Sequence, residues 1–323
     1  MSQPLVSVVT PVYNGAEFLL ECIDSVLAQT YENWEYVIVD NCSTDPTLEI
    51  ARSYEAEEPR IRVLTPNVFV DQIASANRSL REISPESKYT KVLHADDWLF
   101  PECLERMVDL AERHPTVGVV SAYRLEENQV DLTGLPYSTS VLPGTEICRS
   151  TLLGPLYLFG SPTSTLIRSD LIRARDPFYD RTFCVTEDYA LSEDQDACCA
   201  ILRQSDFGFV HQVLTFTRRP AGSPFSAFVH LGAFLPELTN LVTRHGAAYL
   251  TEPEYQRRLA ALLARYGFFL FARLPRFAEP SFRAYHRAAA RKLLHAIDTR
   301  DVFAGVLQNF ERIVKDPKLH SGH

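Results

Sequence analysis

Short apolar runs rich in β-branched residues alternate with helix-spaced apolar positions through the first hundred residues. Leu5-Val6-Ser7-Val8-Val9-Thr10 is strand-sized and halts at Pro11, and Asn14-Gly15 marks a turn. Phe18, Ile23, Val26 and Leu27 recur at roughly helical spacing, which predicts an amphipathic helix over 17–29. Residues 34–39 (WEYVIV) read as a second buried strand. A helix over 46–54 follows, with Ser43 or Thr44 as its cap and proline in its first turn. The same alternation predicts strands over 61–64, 90–93 and 117–122, separated by helices over 72–83 and 101–113.

Strands joined by crossover helices define an α/β protein with a mostly parallel sheet flanked by helices, whose ligands bind at the carboxyl ends of the strands. From about 125 to 165 the pattern loosens and Gly, Pro, Ser and Thr accumulate; 160–164 reads as a loop and 165–167 as a strand. Glu193-Asp194-Gln195-Asp196 precedes a helical run over 197–203, and 207–216 reads as a strand or hairpin. Beyond about 226 the pattern becomes helical, with helices expected over 235–244, 254–271, 281–297 and 302–314. There is no internal repeat. The pattern divides the chain into an α/β domain over 1–225, with halves 1–122 and 123–225, and a helical C-terminal subdomain over 226–323.

Composition narrows the function classes. A net charge of −9 argues against nucleic acid as the partner, and 46% hydrophobic residues supply ample core. Seven cysteines, at 22, 42, 103, 148, 184, 198 and 199, never fall as Cys-x-x-Cys, which predicts thiols in a reducing compartment rather than disulfides or a zinc site. The N-terminus lacks a basic, apolar leader and no window holds about 18 uninterrupted apolar residues, so the expected location is cytoplasmic.

Two acidic constellations fall where such a sheet would bind ligands, and a third precedes a helix. His94-Ala95-Asp96-Asp97 ends a buried strand, and two adjacent carboxylates there repel unless a cation offsets them. Hard ions such as Mn²⁺ or Mg²⁺ take oxygen ligands and would neutralise a diphosphate leaving group; the bland alternative is a solvated turn. Asp40-Asn41 can read a base or ribose, or Asp40 and Asp45 can simply shape a turn. Glu193, Asp194 and Asp196 offer a general base, or acidic decoration of a helix start, and the residues themselves do not choose between Asp194 and Asp196. In the last hundred residues, Arg257, Arg258, Arg265, Arg273, Arg276, Arg283, Arg287, Arg291 and Lys292 lie among Phe268, Phe269, Phe271 and Phe282. That pattern fits a helical subdomain with a solvated basic face, or a surface for anionic membrane or a lipid diphosphate.

The motifs line up with a family. VSVVTPVYNGAEFLLECIDSVLAQTYENWEYVIVDNCSTDPT at 6–47, Asn77-Arg78, KVLHADDWLFPECLERM at 91–107 and EDQD at 193–196 resemble family 2 glycosyltransferases, which adopt the GT-A fold; the resemblance covers about 1–225. It implies an inverting, metal-dependent transfer from a nucleotide-sugar donor, most often a UDP-sugar, to a saccharide or lipid-linked acceptor in cell-surface polysaccharide or glycolipid assembly. The basic and aromatic C-terminal helices, outside the resemblance, add the expectation of peripheral contact with the inner membrane face. Thr10, Pro11 and Tyr13 would line the base and ribose pocket, with Asp40 and Asn41 contacting the base or ribose. Asn77 and Arg78 would join the nucleotide site, the family's frequent Arg-Asn pair standing here as Ala76-Asn77 followed by Arg78. Asp96 would contact ribose or metal, and Asp97 would ligate a Mn²⁺ or Mg²⁺ cofactor. Asp194 would be the base with Glu193 beside it, and Arg218, or less well His211, would meet the diphosphate. The family's frequent Asp-Ala-Asp-Asp stands here as His94-Ala95-Asp96-Asp97, and its Asp-Asp-Gly as Asp40-Asn41-Cys42.

A sugar nucleotidyltransferase wants a Gly-rich, basic loop after the first strand, and a dinucleotide dehydrogenase wants Gly-x-Gly-x-x-Gly there; TPVYNG is neither. A non-catalytic scaffold that retains the fold is the remaining alternative, against which Asp96, Asp97 and Asp194 stand together.

Overall fold

The computed structural model describes residues 3–154, 156–184, 192–220 and 223–296. Two compact units emerge: Met1–Ile147, Leu156–Asp180 and Ala197–Arg219 form the first, and Cys148–Pro155, Arg181–Asp196 and Pro220–His323 the second.

The first unit is built on one mixed sheet. Its strands are β1 (Val6–Val12), β2 (Trp34–Asp40), β3 (Ile61–Leu64), β4 (Tyr89–Val92), β5 (Trp98–Leu99), β6 (Val117–Glu126), β7 (Gln129–Asp131), β8 (Val141–Pro143), β9 (Thr165–Arg168) and β10 (Asp206–Thr217). They run in the order β3-β2-β1-β4-β9-β6-β10-β5, with β7 beside β6 and β8 beside β10. The β3-β2-β1-β4 half is wholly parallel, while β9 lies antiparallel between β4 and β6. The helices α1 (Leu19–Leu27), α2 (Thr47–Glu57), α3 (Gln72–Leu80) and α4 (Cys103–Arg113) connect these strands.

Period-two burial explains why the strands look continuously apolar. Val6, Val8, Tyr36 and Ile38 enter one core cluster, together with Leu19, Cys22, Ile23 and Val26 of α1 and Leu104, Met107, Val108 and Ala111 of α4. Val9, Val37 and Val39 are equally buried but lie outside that cluster, so both faces of the sheet are covered. Each such side chain contributes roughly 1.5–3 kcal/mol on burial. The helix positions fall at i, i+3, i+4 and i+7, the spacing of one apolar stripe.

Several expectations are corrected. β1 does not stop at Thr10 but continues through Pro11 to Val12, pairing with β2 as far as Asp40. The β4 ladder ends at Val9, so at Pro11 one edge of β1 is already unpaired and the missing N–H costs no ladder bond. Neither Ser43 nor Thr44 caps α2; Asp45 Oδ1 accepts from Thr47 N at 3.1 Å instead. The loose stretch after 125 holds β7, β8 and α5 (Gly144–Leu153), and the short α6 (Ser169–Arg173) follows β9.

In the second unit, the first turn of α7 (Glu193–Ile201) accompanies four further helices: α8 (Pro224–Leu231), α9 (Phe234–Tyr249), α10 (Glu252–Ala272) and α11 (Pro280–Ala296). The acids of 193–196 lie inside α7, not ahead of it. Phe228, Leu231, Tyr266, Phe282, Tyr285 and Leu293 form this unit's own aromatic core. The expected helix over 302–314 lies outside the described residues. Among those described, no single helix is long and apolar enough to cross a membrane.

Candidate active site

The carboxyl ends of β1, β2 and β4 carry interlocked turns. Asn14, at φ 49°, donates its N–H to Ser43 Oγ (2.8 Å) and accepts from Thr44 N with Oδ1 (2.8 Å). Gly15 N donates to Thr47 Oγ1 at 2.8 Å, and a Cβ at Gly15 would sit 2.6 Å from Val12 Cγ2, so only glycine fits this close approach. These bonds fix the loop after β1 against the loop after β2. Tyr13, half exposed, stands at the rim with its ring edge-on to Phe69, 4.9 Å between centroids.

Thr10 is fully buried, and its hydroxyl joins Tyr36 Oη (2.9 Å) and Leu93 O (2.7 Å), tying the three strand ends together. Pro11 follows it in β1, opposite Val39. The buried Asp40 accepts from Ser43 N through both oxygens, at 3.2 and 3.4 Å, and so shapes the turn it begins. Asn41 is committed elsewhere: Nδ2 donates to Val70 O (2.7 Å) and Oδ1 accepts from Val70 N (3.1 Å). Its amide grips the 66–70 segment. Arg78 reaches the same segment, donating to Val68 O at 3.1 Å, while Asn77 exchanges two hydrogen bonds with the Tyr179 backbone.

His94, Asp96 and Asp97 converge at the end of β4, one ligand atom of each lying within 4.8 Å of the others. Asp97 N bonds back to His94 O at 3.0 Å, closing the turn, and Thr163 Oγ1 accepts from His94 N at 3.2 Å. Asp97 is 2% exposed; Oδ1 accepts from Arg218 N (2.9 Å), and the buried Oδ2 has no hydrogen-bond partner among the described residues. Burial pushes the Asp97 carboxyl up to about 6; His94 draws it back, Asp96 adds to the rise, and the Thr163 hydroxyl and Arg218 N–H lower it again. A buried carboxylate oxygen left unmatched beside a second carboxylate and an imidazole is a donor set that suits a divalent cation. The residues fit the implied metal.

Arg218 is placed by several contacts at once. Nε donates to Asp96 O (3.1 Å), a terminal nitrogen pairs with Glu21 Oε2 (2.6 Å), and the guanidinium lies 4.1 Å from the Phe18 ring centroid. Trp98 and Phe216 stack beside it. His211 is seven residues back along β10, roughly 20 Å at strand rise, where it bonds Leu135 O at 3.0 Å amid Tyr123, Tyr137 and Phe209. Only Arg218 of the two diphosphate candidates sits with the acids. Sequence reasoning passed over Thr163, Glu21, Phe18 and the convergence of the His94 ring with the two acids. Thr163 lay in a segment read as a bare loop, and Glu21 and Phe18 meet Arg218 across nearly two hundred positions.

The second unit holds the remaining acids. Asp196, fully buried, accepts from His245 Nε2 (2.8 Å) and pairs with Arg244 Nε (2.9 Å), pinning α7 to α9. Asp194 is half-buried in the first turn, with Oδ1 accepting from Gln195 N at 2.8 Å, and Glu193 is half-buried beside it.

A parallel half-sheet with acids and an arginine gathered at its carboxyl edge defines a GT-A-like α/β protein. S. aureus TarS 1–349, solved in complex with UDP-GlcNAc, superposes at TM-score 0.64 over 98% of this chain and 92% of its own, at 16% identity. The mannosyltransferase PcManGT of Pyrobaculum calidifontis, solved with GDP-Man and Mn²⁺, gives 0.55 over 99% and 84%, at 17% identity. The Glycosyl transferase family 2 profile matches residues 7–175, and the chain belongs to that family. Among curated relatives, putative glycosyltransferase EpsE of Bacillus subtilis is 33% identical over 47% of this chain, and putative teichuronic acid biosynthesis glycosyltransferase TuaG of the same organism 28% over 48%. The matched stretches span 56% and 61% of those two proteins.

Proposed function

We propose that the chain is an inverting glycosyltransferase that moves a sugar from a nucleoside diphosphate sugar, foremost a UDP-sugar, to an acceptor hydroxyl in cell-surface polysaccharide or glycolipid assembly. The observation that carries this is Asp97: buried, held on one oxygen by Arg218 N–H, unmatched on the other, and gathered with Asp96 and His94. Family membership, the teichuronic acid role in the name of TuaG and the UDP-GlcNAc bound by TarS support the reading.

Asp97, Asp96 and His94 would hold Mn²⁺ or Mg²⁺, which when bound supplies positive charge against a diphosphate leaving group. Arg218, fixed by Asp96 O and Glu21, adds a preorganised cation beside the same edge. Tyr13 and Phe69 offer exposed aromatic surface for the base. Asp194 takes the proton of the acceptor hydroxyl while that oxygen attacks the anomeric carbon from the face opposite the diphosphate; the carbon–diphosphate bond breaks and the centre inverts. This carboxylate stands in the first turn of α7. Asp196, engaged by Arg244 and His245, acts as a positioning residue.

The test is donor turnover on UDP-, GDP- and dTDP-sugars with Mn²⁺, alongside calorimetric donor binding. Asp97→Ala should lower turnover by about a thousandfold or more. A wild-type chain that binds none of these donors sinks the reading, and one that binds them without turnover is the scaffold.

A further inference from the structure

Four large apolar side chains of the second unit stay in water: Val229 (49% exposed), Phe234 (55%), Phe271 (66%) and Leu274 (56%). They flank two chain turns that touch. Gly232, at φ 67°, closes α8, and a Cβ there would meet Phe269 Cζ at 2.2 Å, so the α8–α9 turn is pressed onto the last turns of α10. From the 3-10 turn Leu274–Ala278 that follows α10, Arg276 donates to His230 O at 2.8 Å. Val229 and Phe234 come from one side of this junction and Phe271 and Leu274 from the other.

The same edge carries one exposed cation. Arg273 lies in water over the Phe269 ring at 4.2 Å, whereas the neighbouring Arg276 is half-buried and ion-paired. Glu279 is bound through both oxygens by Arg276, at 3.0 and 2.8 Å, and also faces His230. The acids of α10, Glu252 and Glu254, sit in its first turn, roughly 30 Å away along the helix. A chain of net charge −9 thus presents one edge where exposed aromatics and an exposed arginine coincide. Segments Phe225–Leu231 and Phe234–Tyr249 together match the apolarity of a membrane span but bend by 95°, which makes an apolar corner rather than a rod.

We propose that this α8–α9/α10 edge docks onto an anionic lipid surface, with Val229, Phe234, Phe271 and Leu274 entering the interface and the exposed Arg273 meeting the headgroups, while Arg276, held by Glu279 and His230, braces the turn. Apolar side chains supply shallow insertion, and each arginine near an anionic leaflet adds a salt-sensitive increment. The inference stands apart from the sugar-transfer reading, because it involves none of the acids at the sheet edge.

The experiment is co-sedimentation of the full chain with phosphatidylglycerol–phosphatidylcholine vesicles and with phosphatidylcholine alone. Binding to the anionic vesicles that weakens with salt is expected, and Phe271→Ser combined with Leu274→Ser should weaken it about tenfold. Arg273→Glu alone, which keeps the apolar residues, should weaken it several-fold, and circular dichroism should show every variant folded. Absence of wild-type binding, or equal binding to neutral vesicles, overturns the proposal. So does a concentration-dependent dimer that the serine variant abolishes while vesicles capture nothing, since the edge then belongs to a second copy.

Discussion

At the residue scale, Asp97 concentrates the tension of the site. Burial raises its carboxyl to about 6 from 3.8, so between those values the folded chain holds a proton that the unfolded chain has lost. Its stabilising contribution is therefore present below the unfolded value and lost as pH rises through about 6; the ionised group costs the metal-free protein at most about 3 kcal/mol. Asp97→Asn keeps an acceptor for Arg218 N–H but cannot ionise. With a chelator at about pH 7.5, the variant should melt a few degrees above wild type, and the gap should close near pH 4. Equal melting at both pH values would show that the carboxylate is solvated. The sequence exposed this residue because two adjacent acids after a buried strand are conspicuous. It hid the rest of the local chemistry: nothing local in Thr10 or Asn41 announces that their polar atoms are consumed by Leu93 O and the Val70 backbone.

At the scale of elements, period-two and helical spacing revealed β1 to β4, α1 to α4 and α9 to α11, because these bury a regular apolar face, and passed over α8. β5, β7 and β8 are two or three residues long, too short for a period, and α5 begins at Gly144 in a Gly- and Pro-rich stretch. The acids at 193–196 looked equivalent because what separates them is tertiary: Asp196 meets His245, 49 positions away on α9. Removing one partner of a buried ion pair leaves the other uncompensated, so Asp196→Ala should lose about 3 kcal/mol of unfolding free energy. Asp194→Asn should retain wild-type stability and donor binding while turnover falls by about a hundredfold or more. Denaturant titration beside single-turnover kinetics separates the two roles. Reversed results would make Asp196 the proton acceptor and Asp194 the strut.

At the scale of the molecule, periodicity suggests a boundary near 225, yet the second unit draws on two segments ahead of that point, Cys148–Pro155 and Arg181–Asp196. Their partners lie in the C-terminal helices. Arg149 pairs with Glu254, Leu152 O accepts from Arg258 Nε at 2.8 Å, and Lys292 Nζ donates to Thr182 O (2.7 Å) and Cys184 O (2.6 Å). Asp196 likewise depends on Arg244 and His245. A fragment ending at 225 would leave a buried carboxylate and several backbone carbonyls without their donors, and each buried loss costs on the order of 1–3 kcal/mol. Those losses together rival the whole stability of an ordinary domain. The fragment should therefore aggregate, or melt well below the full chain, despite containing every acid assigned to sugar transfer. A soluble 1–225 fragment with an unshifted melting temperature would mean that the C-terminal helices are an appendage and that the contacts of Lys292, Arg258 and His245 carry little of the fold.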